Sequence, residues 1–194
     1  MARYLGFPLT ILGASAIVLV SVFAATQLYT APAIAAGSPS SSVPKKNCKK
    51  KGLVWSTEEK KCVKKTSELL TDDDLYLQAR VYVEDDKYNM ALDLLRRIKN
   101  QNQPRVLNYI GYSTRKLGDV DEGIRYYKKA LSLNPNYNVA REYLGEGYLQ
   151  KGDLASAKQQ LAEIAKRCGV GCEEYKDLAE EIAKYEAKGK ATSG

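Results

Sequence analysis

Four cysteines are the residues of this chain best suited to chemistry, and they fall in two local pairs. Cys48 goes with Cys62, and Cys168 with Cys172 in the run Cys168-Gly-Val-Gly-Cys172. Cysteines so placed either bind zinc or close disulfides. Zinc is disfavoured, because C-x2-C spacing is missing and the 194-residue chain has no histidine. Lack of histidine also removes the commonest general base. No G-x-S-x-G, Walker, Rossmann or metalloprotease pattern occurs. The acidic pairs Glu173-Glu174 and Glu180-Glu181 sit in a helical pattern where solvated charge is the ordinary reading. Neither an enzyme nor a metal or organic cofactor is expected.

The N-terminus decides what the cysteines do. Residues before Pro44 carry one charge, Arg3, followed by an apolar run from Leu9 to Ala25 and a small-x-small site at Ala33-Ile34-Ala35. This pattern predicts a secretory signal peptide over residues 1–35. An uncleaved membrane anchor is the alternative, since the run is close to the lower limit for a span. Export, with the periplasm as the expected compartment, favours two disulfides, Cys48–Cys62 and Cys168–Cys172.

Residues 36–44, almost all Gly, Ser, Pro and Val, predict a flexible linker. Residues 45–65 then hold nine lysines against Glu58 and Glu59, while the whole chain is +7. The basic charge is therefore local, and the rest of the mature chain is nearly neutral. Strands are expected at Leu53–Trp55 and Lys60–Val63, closed into a small hairpin by the first disulfide at a gain of about 3 kcal/mol. Two readings of this segment stand side by side. In one, Trp55 packs on the disulfide and the lysines keep the segment soluble. In the other, Lys45, Lys46, Lys49, Lys50 and Lys51 with Trp55 form a surface for an anionic envelope polymer or lipid. No nucleic-acid partner is expected.

What must position any remaining function is a repeat. Leu107, Ile110, Gly111, Gly123, Tyr127 and Ala130 return 34 residues later as Arg141, Leu144, Gly145, Ala157, Leu161 and Ile164. The same pattern occurs 32 residues earlier, more weakly, around Ala79, Ala91, Leu95 and Ile98. Such a period predicts stacked helical hairpins. Ala79, Ala91, Gly111, Gly123, Gly145 and Ala157 are small where two helix axes must approach. Gly118 and Gly152 end first helices, and Asp119 with Glu122, then Asp153, restart the chain as second helices. In the first repeat, Asp85-Asp86 is expected to stand in for Gly-Asp. Helices are predicted at Asp72–Glu84, Lys87–Asn100, Pro104–Leu117, Val120–Leu133, Asn138–Lys151 and Leu154–Arg167. Residues 168–188 form a disulfide corner and a helix whose stripe of Tyr175, Leu178, Ala179, Ile182 and Tyr185 caps the stack. Residues 189–194 are expected to be disordered.

These residues resemble the tetratricopeptide repeat (TPR) family, of an exported bacterial type, over residues 72–167. The resemblance implies an all-α helical-hairpin solenoid of three repeats plus a C-terminal capping helix, preceded here by the small disulfide-closed hairpin. It further implies that first helices line a concave face. Tyr76 and Arg80, then Arg105, Asn108, Tyr112 and Arg115, then Glu142, Glu146 and Leu149 would form a groove for a protein or peptide. The alternative for Tyr76 and Tyr112 is that they fill gaps between repeats. Tyr76, Tyr109, Val139 and Tyr143 depart from the carboxylate clamp of some cytosolic TPR proteins, so a chaperone-tail adaptor is not expected. The expected function is a non-catalytic interaction scaffold of the cell envelope. Its rival is an envelope-binding protein that acts through the Lys-rich segment, with the repeats as spacer.

Overall fold

The computed structural model describes Cys48 and residues 52–191. The expected signal peptide, the linker, Lys45, Lys46, Lys49, Lys50, Lys51 and residues 192–194 lie outside the described residues.

Leu53–Ser56 (β1) and Lys61–Lys64 (β2) pair antiparallel, with Val54 opposite Val63 and Trp55 opposite Cys62. Both strands differ by a residue from expectation. Lys60 has φ 51°, a left-handed turn conformation, and so stays out of the second strand. A disulfide joins Cys48 to Cys62. The hairpin is also seated on the first helical repeat. Val54, 1% exposed, enters a core with Leu70, Leu75, Leu94 and Leu95. The Thr57 amide donates to Asp74 Oδ1 at 3.0 Å, and Lys65 pairs with Asp93. Two strands alone are marginal in water, and this seat supplies the missing hydrophobic contact.

Seven helices come after the hairpin: α1 Asp72–Glu84, α2 Tyr88–Leu95, α3 Pro104–Lys116, α4 Val120–Leu133, α5 Asn138–Gln150, α6 Leu154–Cys168 and α7 Glu173–Ala191. Thr71 starts α1 with a capping box: its hydroxyl accepts from the Asp74 amide, and Asp74 accepts from the Thr71 amide, both at 3.1 Å. Asp119 and Asp153 cap α4 and α6 through the amides three residues on. Gly118 and Gly152, with φ of 106° and 77°, make the preceding turns.

The first repeat does this differently. Asp86, at φ 56°, takes the glycine's place, and Lys87 falls where Asp119 and Asp153 cap. A lysine accepts no amide proton, so α2 starts without a side-chain cap. It also stops at Leu95, well short of the expected Asn100. There the Asp72 carboxylate accepts from the amides of Lys99 and Asn100, while Gln101 Nε2 donates to the Leu95 and Ile98 carbonyls. Side chains thus satisfy the groups a longer helix would have used. Lys87 has backbone angles close to those of Asp119 and Asp153. Lys87→Asp should therefore add a cap worth about 1 kcal/mol, measurable as a rise in Tm.

Within the second repeat α3 and α4 nearly touch. A Cβ built on Gly111 would lie 2.9 Å from Tyr127 Cε1 and 3.0 Å from the Gly123 carbonyl. One on Gly123 would lie 2.8 Å from Arg115 Cβ. Ala79, Ala91 and Ala157 are fully buried. Gly145 serves another contact, because the atoms nearest its Cβ position belong to Leu178 of α7, at 2.6 Å. Leu178 and Ile182 complete a core with Leu149, Ala157 and Ile164, and α7 closes that end of the stack. It runs to Ala191, past the expected start of a disordered tail at 189.

Candidate functional site

Each odd-numbered helix packs on the next, α1 on α3, α3 on α5 and α5 on α7. Among the described residues α2, α4 and α6 make no comparably close backbone approach to one another. A stack joined on one side and splayed on the other must curve, with the odd helices inside. The inner face is therefore built from α1, α3, α5 and α7, and its residues are the candidates for recognition.

Tyrosine and arginine dominate that face. Tyr76 meets Tyr109 edge-on at 5.6 Å between centroids, and Tyr112 meets Tyr143 at 4.7 Å. Arg105 stacks 4.5 Å from the Tyr76 ring and pairs with Asp73. Arg115, almost wholly buried, lies 5.4 Å from the Tyr112 ring, donates to the Tyr127 hydroxyl at 3.2 Å and pairs with Glu146 at 2.5 Å. The geometry ties each repeat to the next by a cation sandwiched between an aromatic ring and a carboxylate. Tyr109, Tyr112 and Tyr143 remain partly exposed. Burial, and after it Glu142, pushes the Tyr143 phenol up, so it stays neutral.

Residues 115–182 match the tetratricopeptide repeat family model. Solved structures agree over a longer stretch. The type III secretion chaperone SycD of Yersinia enterocolitica, in complex with a peptide of the translocator YopD, is 20% identical. It superposes with a TM-score of 0.52 over 66% of this chain and 100% of its own. The first TPR of Spaghetti (RPAP3), bound to an HSP90 peptide, is 17% identical with a TM-score of 0.52, over 60% of this chain and 94% of its own. The second TPR domain of human RPAP3, in complex with an HSP70 peptide, gives 17%, 0.50, 60% and 92%. The fold is a TPR solenoid. No curated protein matches this chain.

In TPR terms, α1, α3 and α5 are the first helices of three repeats. α7 keeps the same phase, since Tyr175, Leu178, Ala179 and Ile182 lie 34 residues after Arg141, Leu144, Gly145 and Tyr148. The proposed groove residues divide. Arg80, Arg105, Tyr112 and Glu146 keep partial exposure. Tyr76, Asn108, Arg115, Glu142 and Leu149 are buried, at 3%, 0%, 3%, 8% and 8% exposure, and this corrects their reading as open groove lining. Leu149 is covered by α7, and Tyr76 by the Tyr109 and Arg105 side chains of the next repeat. Asn108 lies beside the Tyr137 phenol. Tyr76 and Tyr112 both act as bridges between repeats, Tyr76 from beneath and Tyr112 at the surface. Tyr109 and Tyr143, singled out in the sequence only at the clamp positions and not as groove lining, also belong to the inner face. Their adjacency to Asn108 and Glu142 was the available signal, because a helical stripe is wider than one residue.

Trp55 is half-buried on the hairpin. Cys168 and Cys172 are joined by a disulfide across the turn into α7.

Glu142 is the electrostatic anomaly of the site. Its side chain is buried. Burial, then Glu146, Asp177, Glu174 and Glu173, push it up from 4.5 to about 9. The folded chain therefore holds a proton there that the unfolded chain releases above its ordinary value. Unfolding gives up that proton between 4.5 and about 9, so stability falls as pH rises through this window. Glu142→Gln should flatten the decline and stabilise the protein at pH 8, on the order of a few kcal/mol. Urea unfolding of both forms at pH 5 and pH 8 measures it.

Proposed function

We propose that the protein is a non-catalytic TPR scaffold, exported to the cell envelope, that holds a partner protein or peptide on its inner face. The observation that carries this reading is the row of partly exposed Tyr109, Tyr112 and Tyr143 on the curved side of the stack. Tyrosine gives large contact area at small entropic cost together with a directed hydroxyl, which suits a recognition surface. Peptide-bound neighbours of the same fold support the mode of action. The chain's chemistry agrees, since it lacks histidine and its Asp73–Arg105 and Arg115–Glu146 pairs are engaged in holding repeats together.

Export rests on the N-terminal pattern. Among the described residues no helix is long and apolar enough to cross a membrane. The mature protein should be recovered from the periplasm with an N-terminus just after Ala35, and Edman sequencing of that fraction checks it. For the binding reading, Tyr109→Ala with Tyr112→Ala should abolish copurification of partners from a mildly crosslinked envelope fraction while leaving the helical circular dichroism intact. Retention of every partner by that variant would refute it.

A further inference from the structure

The hairpin has two faces, and the fold uses one of them. Val54 and Ser56, at 1% and 0% exposure, face inward, and Val54 shares a core with Leu75 of α1. Side chains alternate along a strand, so Trp55 lies on the opposite face. Cys62 stands across from it, and Lys64 follows two residues along β2 on the same face. Among the described elements only α1 makes a close backbone approach to the hairpin. Trp55, the one tryptophan of the chain, is left partly exposed, and Cys62 and Lys64 are exposed. Lys60 is exposed as well, at the turn before β2. Lys61 and Lys65 are instead paired with Glu59 and Asp93. Residues 45–65 carry nine lysines against two glutamates, so this short segment holds as much net positive charge as the whole chain.

We propose that the outward face of the hairpin, Trp55 with Lys60 and Lys64, docks the protein on a bilayer surface rich in anionic phospholipid. Each lysine held near such a surface strengthens binding roughly fivefold, and its apolar stem lets the ammonium reach a lipid phosphate. Tryptophan settles at headgroup depth, because its ring is apolar while its N–H keeps to the wet side. A bilayer suits this face better than a soluble polyanion does. Two strands make a flat surface with no groove for a polymer to follow, and an exposed indole gains from an apolar boundary that such a polymer lacks. The Cys48–Cys62 disulfide and the seat on α1 hold the face in shape before contact, so little ordering is needed on docking. This surface is separate from the inner face of the stack, and a lipid probe contains no protein partner, so either claim can fail while the other stands.

The test mixes the mature chain, from residue 36, with vesicles of phosphatidylcholine and phosphatidylglycerol in equal parts, and with vesicles of phosphatidylcholine alone, at low salt. Trp55 is the reporter, since no other tryptophan contributes to the emission. The protein should sediment with the anionic vesicles only, its emission should shift to the blue as the indole leaves water, and added salt should release it. Lys60→Gln with Lys64→Gln should weaken binding at least about tenfold. Both side chains are exposed, so the variant should keep its circular dichroism and melting curve. No sedimentation with anionic vesicles, sedimentation without the blue shift, equal binding to phosphatidylcholine, or undiminished binding by the double variant each overturns the inference. Soluble polyphosphate is the competitor. If it gives the same blue shift and strips the protein from vesicles at equal phosphate concentration, the face belongs to a soluble polyanion and the bilayer claim is overturned.

Discussion

Arg115→Met should destabilise the protein by about 3–5 kcal/mol, the range for breaking a buried ion pair from one side. Methionine fills much of the volume, so the loss is electrostatic rather than a cavity. Glu146 loses the partner at 2.5 Å, the Tyr127 hydroxyl loses its donor at 3.2 Å, and the Tyr112 ring loses its cation. Glu146 would then stand as an unpaired carboxylate next to Glu142, already in a negative field. Glu146→Gln on the Arg115→Met background should restore part of the loss, because it removes the stranded charge. Urea denaturation of the four forms of this cycle gives the coupling directly. Additive single losses would show that the pair is not a unit.

The second large effect is steric. Gly123→Leu should leave the second repeat unable to close, and the protein should fail to show a cooperative transition. A Cβ alone at Gly123 would stand 2.8 Å from Arg115 Cβ and 2.9 Å from the Gly111 carbonyl, both on the facing helix and neither on a movable side-chain end. Gly123→Ala sets two effects against each other. Alanine favours the helix by about 1 kcal/mol, while overpacking costs about 1–3 kcal/mol, so a net loss is expected. Because Ala91 and Ala157 occupy this place in the other repeats without exposure, the close crossing is particular to α3 and α4. Thermal melts of both variants, with Ala91→Gly as the mild control, measure the order.

Much of this architecture is legible in the sequence because it follows from spacing. Gly111, Gly123, Gly118, Asp119 and their counterparts fix where helices start, stop and cross, and local chemistry is enough to place them. The failures share a cause too. Nothing local says that Asp72 and Gln101 will satisfy the backbone beyond Leu95, since Asp72 acts from 27 residues away. Likewise Val54 shares its core with Leu75 and Leu94, residues far along the chain, and the hairpin's role as a seat on the first repeat is invisible to strand propensity. On the inner face, a stripe of Tyr76, Arg80, Asn108, Glu142 and Leu149 is readable as one side of a set of helices. Which of the groove residues a neighbouring ring or helix then covers depends on tertiary packing, and that is why five were buried. Gly145 shows the same limit: its smallness fits the repeat pattern, yet the atom it makes room for is Leu178 of α7.

The central claim is that the inner face, and not the outer one, meets the partner. Site-specific photocrosslinking in the intact cell envelope tests it most directly, with a benzophenone amino acid placed at Tyr109 or Tyr143 inside and at Arg125 or Lys129 on α4 outside. Adducts of one defined partner from the inner positions, and none from the outer, are the predicted result. Adducts arising from Arg125 or Lys129 while Tyr109 and Tyr143 give none would contradict it.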